Sequence, residues 1–282
     1  MRHRFLGILV LFLCAISPVL GQPEPGDVHL VMGNPSAARA DRSPPDPVNF
    51  LMVKDQFALS YNSKKGTPNW VSYRLRKSDM GSAPRPSDFH ADADLPKSFH
   101  KVKPGDYHYS TTGMQRGHLC PNGHRNVSFE DAKATFVMTN IVPQTMELND
   151  GAWKDFEIYC ATLARKSNKE LYIVCGPSGM GGTSSKGFFK TIGDGYVNVP
   201  KVCWKVVLVI DGSSKKSPLA RVNKQSRVIA VVMPNDRTPS GKRWNDYAVS
   251  AESVEILTGY RFFDRAPASI IKALKQEVDD GR

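Results

Sequence analysis

Long hydrophobic runs are nearly absent from this 282-residue chain: no stretch approaches the roughly 18 consecutive apolar residues that a membrane-spanning helix needs. Cysteine is scarce too, five in all, with no Cys-x-x-Cys pair and no Cys/His cluster, which excludes a disulfide scaffold and a closed zinc site. There is no internal repeat, so repeat architectures are excluded as well. Acidic residues fall short of basic ones, 27 Asp+Glu against 38 Lys+Arg, for a formal charge of +11. A field of that sign favours polyanionic partners and supplies sequence-independent affinity for phosphate backbones, the plainer alternative being a merely soluble basic protein. The length suffices for one large domain or two small ones, with ample chain to bury a core.

The one membrane-like segment lies at the N-terminus. Arg2 and Arg4 precede a twelve-residue apolar run, Phe5 to Ile16, and Val19-Leu20-Gly21 offers small residues for cleavage before Gln22. That order predicts a signal peptide over 1–21 and a secreted or periplasmic protein with no membrane anchor after cleavage. Cys14 does not fit a lipoprotein site, because Leu13 precedes it where a small residue is expected. Removing the segment takes away two arginines and no acid, so the remainder stays basic. Residues 22–48, with Pro23, Pro25, Pro35, Pro44, Pro45 and Pro47 among small residues, predict a flexible leader before a domain over 49–282.

Within that domain, Phe57 to Tyr61 and Trp70 to Leu75 read as two strands of a hairpin around Lys65-Gly66 and Pro68-Asn69. Residues 77–113 are rich in Pro, Asp, Gly and Ser and predict a long irregular excursion, a feature often functional in a compact domain. Thr135 to Val142 predicts a strand closed by Pro143, and a helix is expected to open at Asn149, a good N-cap type, through Trp153, Phe156, Tyr159, Cys160 and Leu163. Leu171 to Cys175, Cys203 to Ile210 and Arg227 to Met233 predict buried strands, and Ser269 to Val278 an amphipathic helix. Cys175 and Cys203 both fall in such strands, where a bridge between them is conceivable but plain core thiols are the simpler reading. The class is α+β: one domain around a mainly antiparallel central sheet flanked by helices and long loops.

Chemistry concentrates where Gln115-Arg116-Gly117-His118-Leu119-Cys120-Pro121 follows the excursion and is itself followed by the strand ending at Asn140 and the helix opening at Asn149. In this order, together with Asn69-Trp70-Val71, Arg85 to Phe89 and Val254 to Phe263, the chain resembles the DNA/RNA non-specific endonucleases of the ββα-metal type. That group includes the Serratia-type and cyanobacterial sugar-non-specific nucleases and mitochondrial endonuclease G. The resemblance implies a ββα-metal finger, DNA and RNA as substrates, and a divalent cation, Mg2+ or a substitute such as Mn2+.

Phosphodiester cleavage needs a nucleophilic water, charge stabilisation at phosphorus and help for the departing 3′-oxygen. A neutral His118 suits the first task, since imidazole titrates near neutrality. The resemblance implies Asn149 as metal ligand, a hard but neutral oxygen suited to an ion held mostly by water and substrate. It implies Glu157 as a second helper reaching back to a metal-bound water, Arg85 as a clamp on phosphate, and Arg116 as a brace or phosphate contact. Asn140 is implied as a hydrogen-bonding support. Two positions depart from the family pattern: Gln115 stands where Asp is usual, and Ala161 where Arg is often found, with Arg165 one turn further. Those departures keep open a catalytically weak or inactive nucleic-acid-binding protein on the same scaffold, and another phosphoesterase is a third reading. His124 reads as a neighbouring loop residue, and the Asn126-Val127-Ser128 sequon is given no role.

Overall fold

Runs of β-branched and aromatic residues favour a pleated, half-buried backbone, and they mark the longer strands within residues 28–281, which the computed structural model describes. The expected signal segment lies outside these residues. The elements that position the site are β1 (Phe50–Val53), β2 (Ala58–Asn62), β3 (Thr67–Leu75), β4 (Met114–His118), α1 (Phe129–Ala134), β5 (Ile141–Thr145), α2 (Lys154–Lys166), β6 (Lys169–Ser178), β7 (Val202–Asp211), β8 (Arg227–Pro234), β9 (Ala248–Val249), α3 (Ala251–Thr258) and α4 (Ala268–Gln276). Seven strands form one sheet in the order β1-β2-β3-β6-β7-β8-β9, with every pairing antiparallel. The mainly antiparallel α+β class is therefore the one observed.

The sheet is covered on both faces, and the two-residue period of the strands sorts their side chains between two cores. In β7, Cys203, Val207 and Val209 enter the first core while Trp204, Val206, Leu208 and Ile210 enter the second. The first core is closed by β4, β5 and α2 through Leu119, Val142, Trp153, Phe156, Cys160 and Ala164. The second is closed by α3 and α4 through Val254, Ile271 and Leu274, with Phe262 and Phe263 beside them.

Three expectations are corrected. The stretch 28–48 is not a flexible leader: Met32 and Ala38 are buried in the second core, and Ser36 Oγ accepts from Trp70 Nε1 at 2.9 Å. Its few apolar side chains suffice because Asn34 satisfies the Ala38 backbone at both N–H and C=O, holding the prolines' irregular path together. The strand expected over 135–142 is displaced: Met138–Asn140 make a 3-10 turn and β5 runs from Ile141 through Pro143. Pro143 is tolerated because β5 pairs only with β4, leaving one edge free of ladder bonds. Nor does a helix open at Asn149. A wide turn, Leu148–Trp153, is broken at Gly151 (φ −98°, ψ −121°), and α2 starts at Lys154.

The sheet interior also has one position where only glycine fits. A Cβ on Gly176 of β6 would lie 2.4 Å from the Asn69 carbonyl oxygen and 2.9 Å from the Trp204 ring. Gly176→Ala is expected to destabilise the fold by about 1–3 kcal/mol, because neither backbone nor indole can retreat. Denaturant unfolding checks it: the midpoint should fall with an unchanged slope.

Candidate active site

β4 and β5 form their own two-stranded ladder, in register from Met114 opposite Thr145 to His118 opposite Ile141, and α2 follows. This ββα unit lies off the main sheet, so buried side chains must hold it. Asn140 accepts from the Cys120 N–H at 2.9 Å and donates to the Cys120 and Thr135 carbonyls at 2.8 Å each. Asn235 at the end of β8 accepts from Thr145 N–H at 2.9 Å and donates to the Pro143 carbonyl at 3.0 Å. Trp153 Nε1 donates to the His118 carbonyl at 3.1 Å, tying the start of α2 to the end of β4.

His118 is 8% exposed and wedged between Phe89 and Phe136, with ring centroids 5.3 and 4.8 Å away. Burial, with the nearby Arg85 charge adding to it, lowers its pKa to about 3, so the ring is neutral at ordinary pH. Its Nε2 is buried without a protein hydrogen-bond partner. An imidazole nitrogen left this way costs stability unless something else uses it. His124 contrasts with it. There Nε2 donates to the Glu157 carbonyl at 3.0 Å, which leaves Nδ1 to accept from Tyr73 Oη at 3.2 Å; both nitrogens are committed.

Asn149 sits in the wide turn before α2, and its Nδ2 donates to Gln115 Oε1 at 2.6 Å. Gln115 Nε2 in turn donates to Asp150 Oδ2 at 2.9 Å. With Nδ2 held, the carbonyl end of the Asn149 amide is the one available to a ligand. Glu157, in the first turn of α2, pairs with Lys205 at 3.3 Å. Lys205 is fully buried, and its Nζ lies 4.1 Å from the Trp153 ring centroid. Burial pushes the Glu157 carboxyl above its usual range against the pull of Lys205. Burial, the largest single influence, would lower Lys205, but Glu157 together with Cys175 and Cys160 outweighs it and holds the ammonium above its ordinary value.

A cleft of about 630 Å3 brings His118, Asn149, Asp150 and Glu157 together with four cations, Arg85, Arg116, Lys154 and Arg165. Arg85 lies over the Phe136 ring at 5.0 Å and makes no ion pair among the described residues. Arg116 is more constrained: it donates to the Pro104 carbonyl at 2.7 Å and covers the Phe89 ring, bracing the excursion. Ala161 lines the cleft beside Arg165, which brings a guanidinium from one turn further along. Asn140 is fully buried and outside the cleft lining. Lys205, Asp150 and Lys154 were not singled out from sequence, although Lys205 is the only charge within the apolar run Cys203 to Ile210. Among the described residues no three or more His, Cys, Asp or Glu gather as a metal cluster. Cys120, Cys160, Cys175 and Cys203 are all free and buried. A Cys175–Cys203 bridge does not form because Cys175 faces Lys205 across the ladder while Cys203 faces Pro177.

A ββα unit beneath a cation-lined cleft defines the class of this protein, a nuclease. Residues 35–269 match the family of DNA/RNA non-specific endonucleases, to which the chain belongs. A protein described as a nuclease from Nostoc sp. (strain PCC 7120 / SAG 25.82 / UTEX 2576) is 41% identical over 279 residues, 96% of either chain. Human mitochondrial nuclease EXOG is 32% identical across 73% of this chain and 55% of its own length. Bovine mitochondrial endonuclease G is 28% identical across 79% and 73% respectively. Among solved structures, EndoG in its complex with EndoGI superimposes with a TM-score of 0.70 at 21% identity, covering 93% of this chain and 98% of that one, a likeness of fold. The protein is a nuclease enzyme whose substrates are nucleic acids.

Three buried histidines make this fold sensitive to acid. His29, His118 and His124 each have a pKa lowered from 6.5 to about 3, burial being the largest cause in every case. The unfolded chain protonates them near 6.5, so unfolding takes up as many as three protons between those values. Stability should therefore be intact above pH 6.5 and fall as pH drops toward 3, by up to about 1.4 kcal/mol per pH unit for each ring. Melting temperatures measured from pH 7 to pH 4 test this, and His118→Gln should flatten the slope by up to one proton; an unchanged slope would contradict the neutral state assigned to that ring.

Proposed function

We propose that the protein is a secreted or periplasmic, divalent-metal-dependent endonuclease that hydrolyses DNA and RNA phosphodiesters with little sequence preference. The carrying observation is His118: a neutral ring with an unpartnered Nε2 in the cleft that also holds the Asn149 amide. A general base must be deprotonated and free to accept, and His118 is both. In this reading His118 takes a proton from the water that attacks phosphorus. Arg85 supplies charge to the phosphate that does not titrate away, and its freedom from any carboxylate supports that role. Arg116 keeps the excursion in place. Recognition through cations lining a cleft reads the backbone rather than the bases, which fits low sequence preference. The N-terminal segment 1–21 supports export.

The donor chemistry fits Mg2+, with Mn2+ or another divalent cation able to substitute. Asn149 offers a hard oxygen whose amide nitrogen is already engaged, Glu157 offers a carboxylate paired with Lys205, and no soft Cys/His cluster competes among the described residues. Asn149 would hold the ion, with Glu157 aligning a bound water; the ion would supply charge for the phosphoryl oxygens and the departing 3′-oxygen.

Plasmid digestion with and without chelator tests the metal dependence: cleavage should stop with chelator and return with added Mg2+. His118→Ala is expected to cut turnover by at least ~10²-fold while leaving nucleic-acid affinity largely intact. Near-wild-type cleavage by that variant would remove His118 from the mechanism.

Asn149 is tested by calorimetry beside the same assay. Asn149→Ala should lose metal affinity and activity. Asn149→Asp adds a charge and should bind the ion more tightly, yet cleave more slowly because a better-neutralised ion polarises phosphate less. Equal metal affinity across Asn, Asp and Ala would sink the assignment.

A further inference from the structure

We propose that Asp150 is a positioning residue that fixes which end of the Asn149 amide faces the cation, an inference that rests on the metal site placed at Asn149 above. A carboxamide has two ends of nearly equal shape and opposite chemistry, and only its oxygen binds a cation. The end that faces the cleft is set by whatever holds the other end. Here the Asn149 nitrogen is held by Gln115 Oε1 at 2.6 Å.

Gln115 does not settle the matter alone, because it too is a carboxamide. Flipped about its terminal bond it would present Nε2 to Asn149, which would then have to turn its oxygen inward to accept, away from the cation. Asp150 removes that freedom. Its Oδ2 lies 2.9 Å from Gln115 Nε2, and an ionised carboxylate only accepts. Asp150 therefore fixes Gln115, and Gln115 fixes Asn149. A carboxylate at position 115 would only accept and would need no such partner; a glutamine does. The wide turn makes the chain of bonds possible, since Gly151 breaks the helical path between Asp150 and α2. Asp150 is exposed at the cleft rim, so its removal is expected to leave the fold intact.

The experiment measures Mn2+ affinity calorimetrically on the metal-free full chain, beside nuclease turnover and melting temperature. Asp150→Ala should weaken Mn2+ binding about tenfold, as loss of an orienting partner commonly does, with melting temperature unchanged. Asp150→Asn is itself a carboxamide that can flip together with Gln115, and should lose nearly as much as Asp150→Ala. Gln115→Glu alone should be harmful, because two carboxylates would then meet at hydrogen-bond distance. In the Asp150→Ala background the same change should restore affinity, because Glu accepts from Asn149 without being oriented. A loss in Asp150→Ala that disappears at high ionic strength would assign the effect to charge and overturn the proposal, as would unchanged affinity in Asp150→Ala or failure of Gln115→Glu to rescue it. Absence of Mn2+ binding by the wild type would remove the metal site itself, and is thus distinguishable from failure of the orienting role.

Discussion

A lysine with no exposure to water sits at the centre of the sheet, and its charge is tolerated because Glu157 meets it at 3.3 Å and Trp153 covers it at 4.1 Å. Removing one partner of such a pair leaves an uncompensated buried charge, typically costing about 3–5 kcal/mol. The pair joins β7, the strand between β6 and β8, to the first turn of α2. Trp153 carries the constraint further by bonding the His118 carbonyl, so one buried contact ties the sheet, α2 and the end of β4 together. The charge that a core would ordinarily reject is what registers the ββα unit on the sheet.

Much of that frame was legible in the sequence. The three longest apolar runs after the N-terminal segment became β6, β7 and β8, since continuous burial leaves a continuous apolar pattern. The first hairpin and the last helix were readable for similar reasons. The Arg-Gly-His segment and Asn149 stood out because their chemistry is sparse and ordered along the chain, although the helix expected to open at Asn149 starts at Lys154. What escaped had no local signature. The packing of 28–48 depends on isolated residues, Met32 and Ala38, meeting a surface built much later in the chain. The wide turn before α2 depends on one backbone conformation at Gly151 that overrides good helix formers on both sides. Lys205 was visible only as an oddity, a charge inside a strand, and its meaning depended on a partner 48 residues away.

The site also shows how a departure from a family pattern is absorbed. Gln115 removes a charge where Asp is usual, yet the acceptor facing Asn149 survives as Oε1, and a carboxylate reappears at Asp150 on the far side of the glutamine. Arg165 likewise reaches the cleft from one turn beyond Ala161. In both cases the chemical group is kept while its point of attachment moves, which a position-by-position comparison scores as loss.

The four buried thiols carry a different consequence. Burial raises all of them, to about 12 at Cys120, Cys160 and Cys203, so almost none is ionised and the folded protein is inert toward thiol exchange. In an oxidising compartment that protection ends the moment the chain opens, because exposed thiols can then be captured as mispaired bridges faster than the sheet reassembles. The working lifetime of the protein there is governed by how rarely it unfolds, a kinetic property, rather than by the balance between folded and unfolded forms.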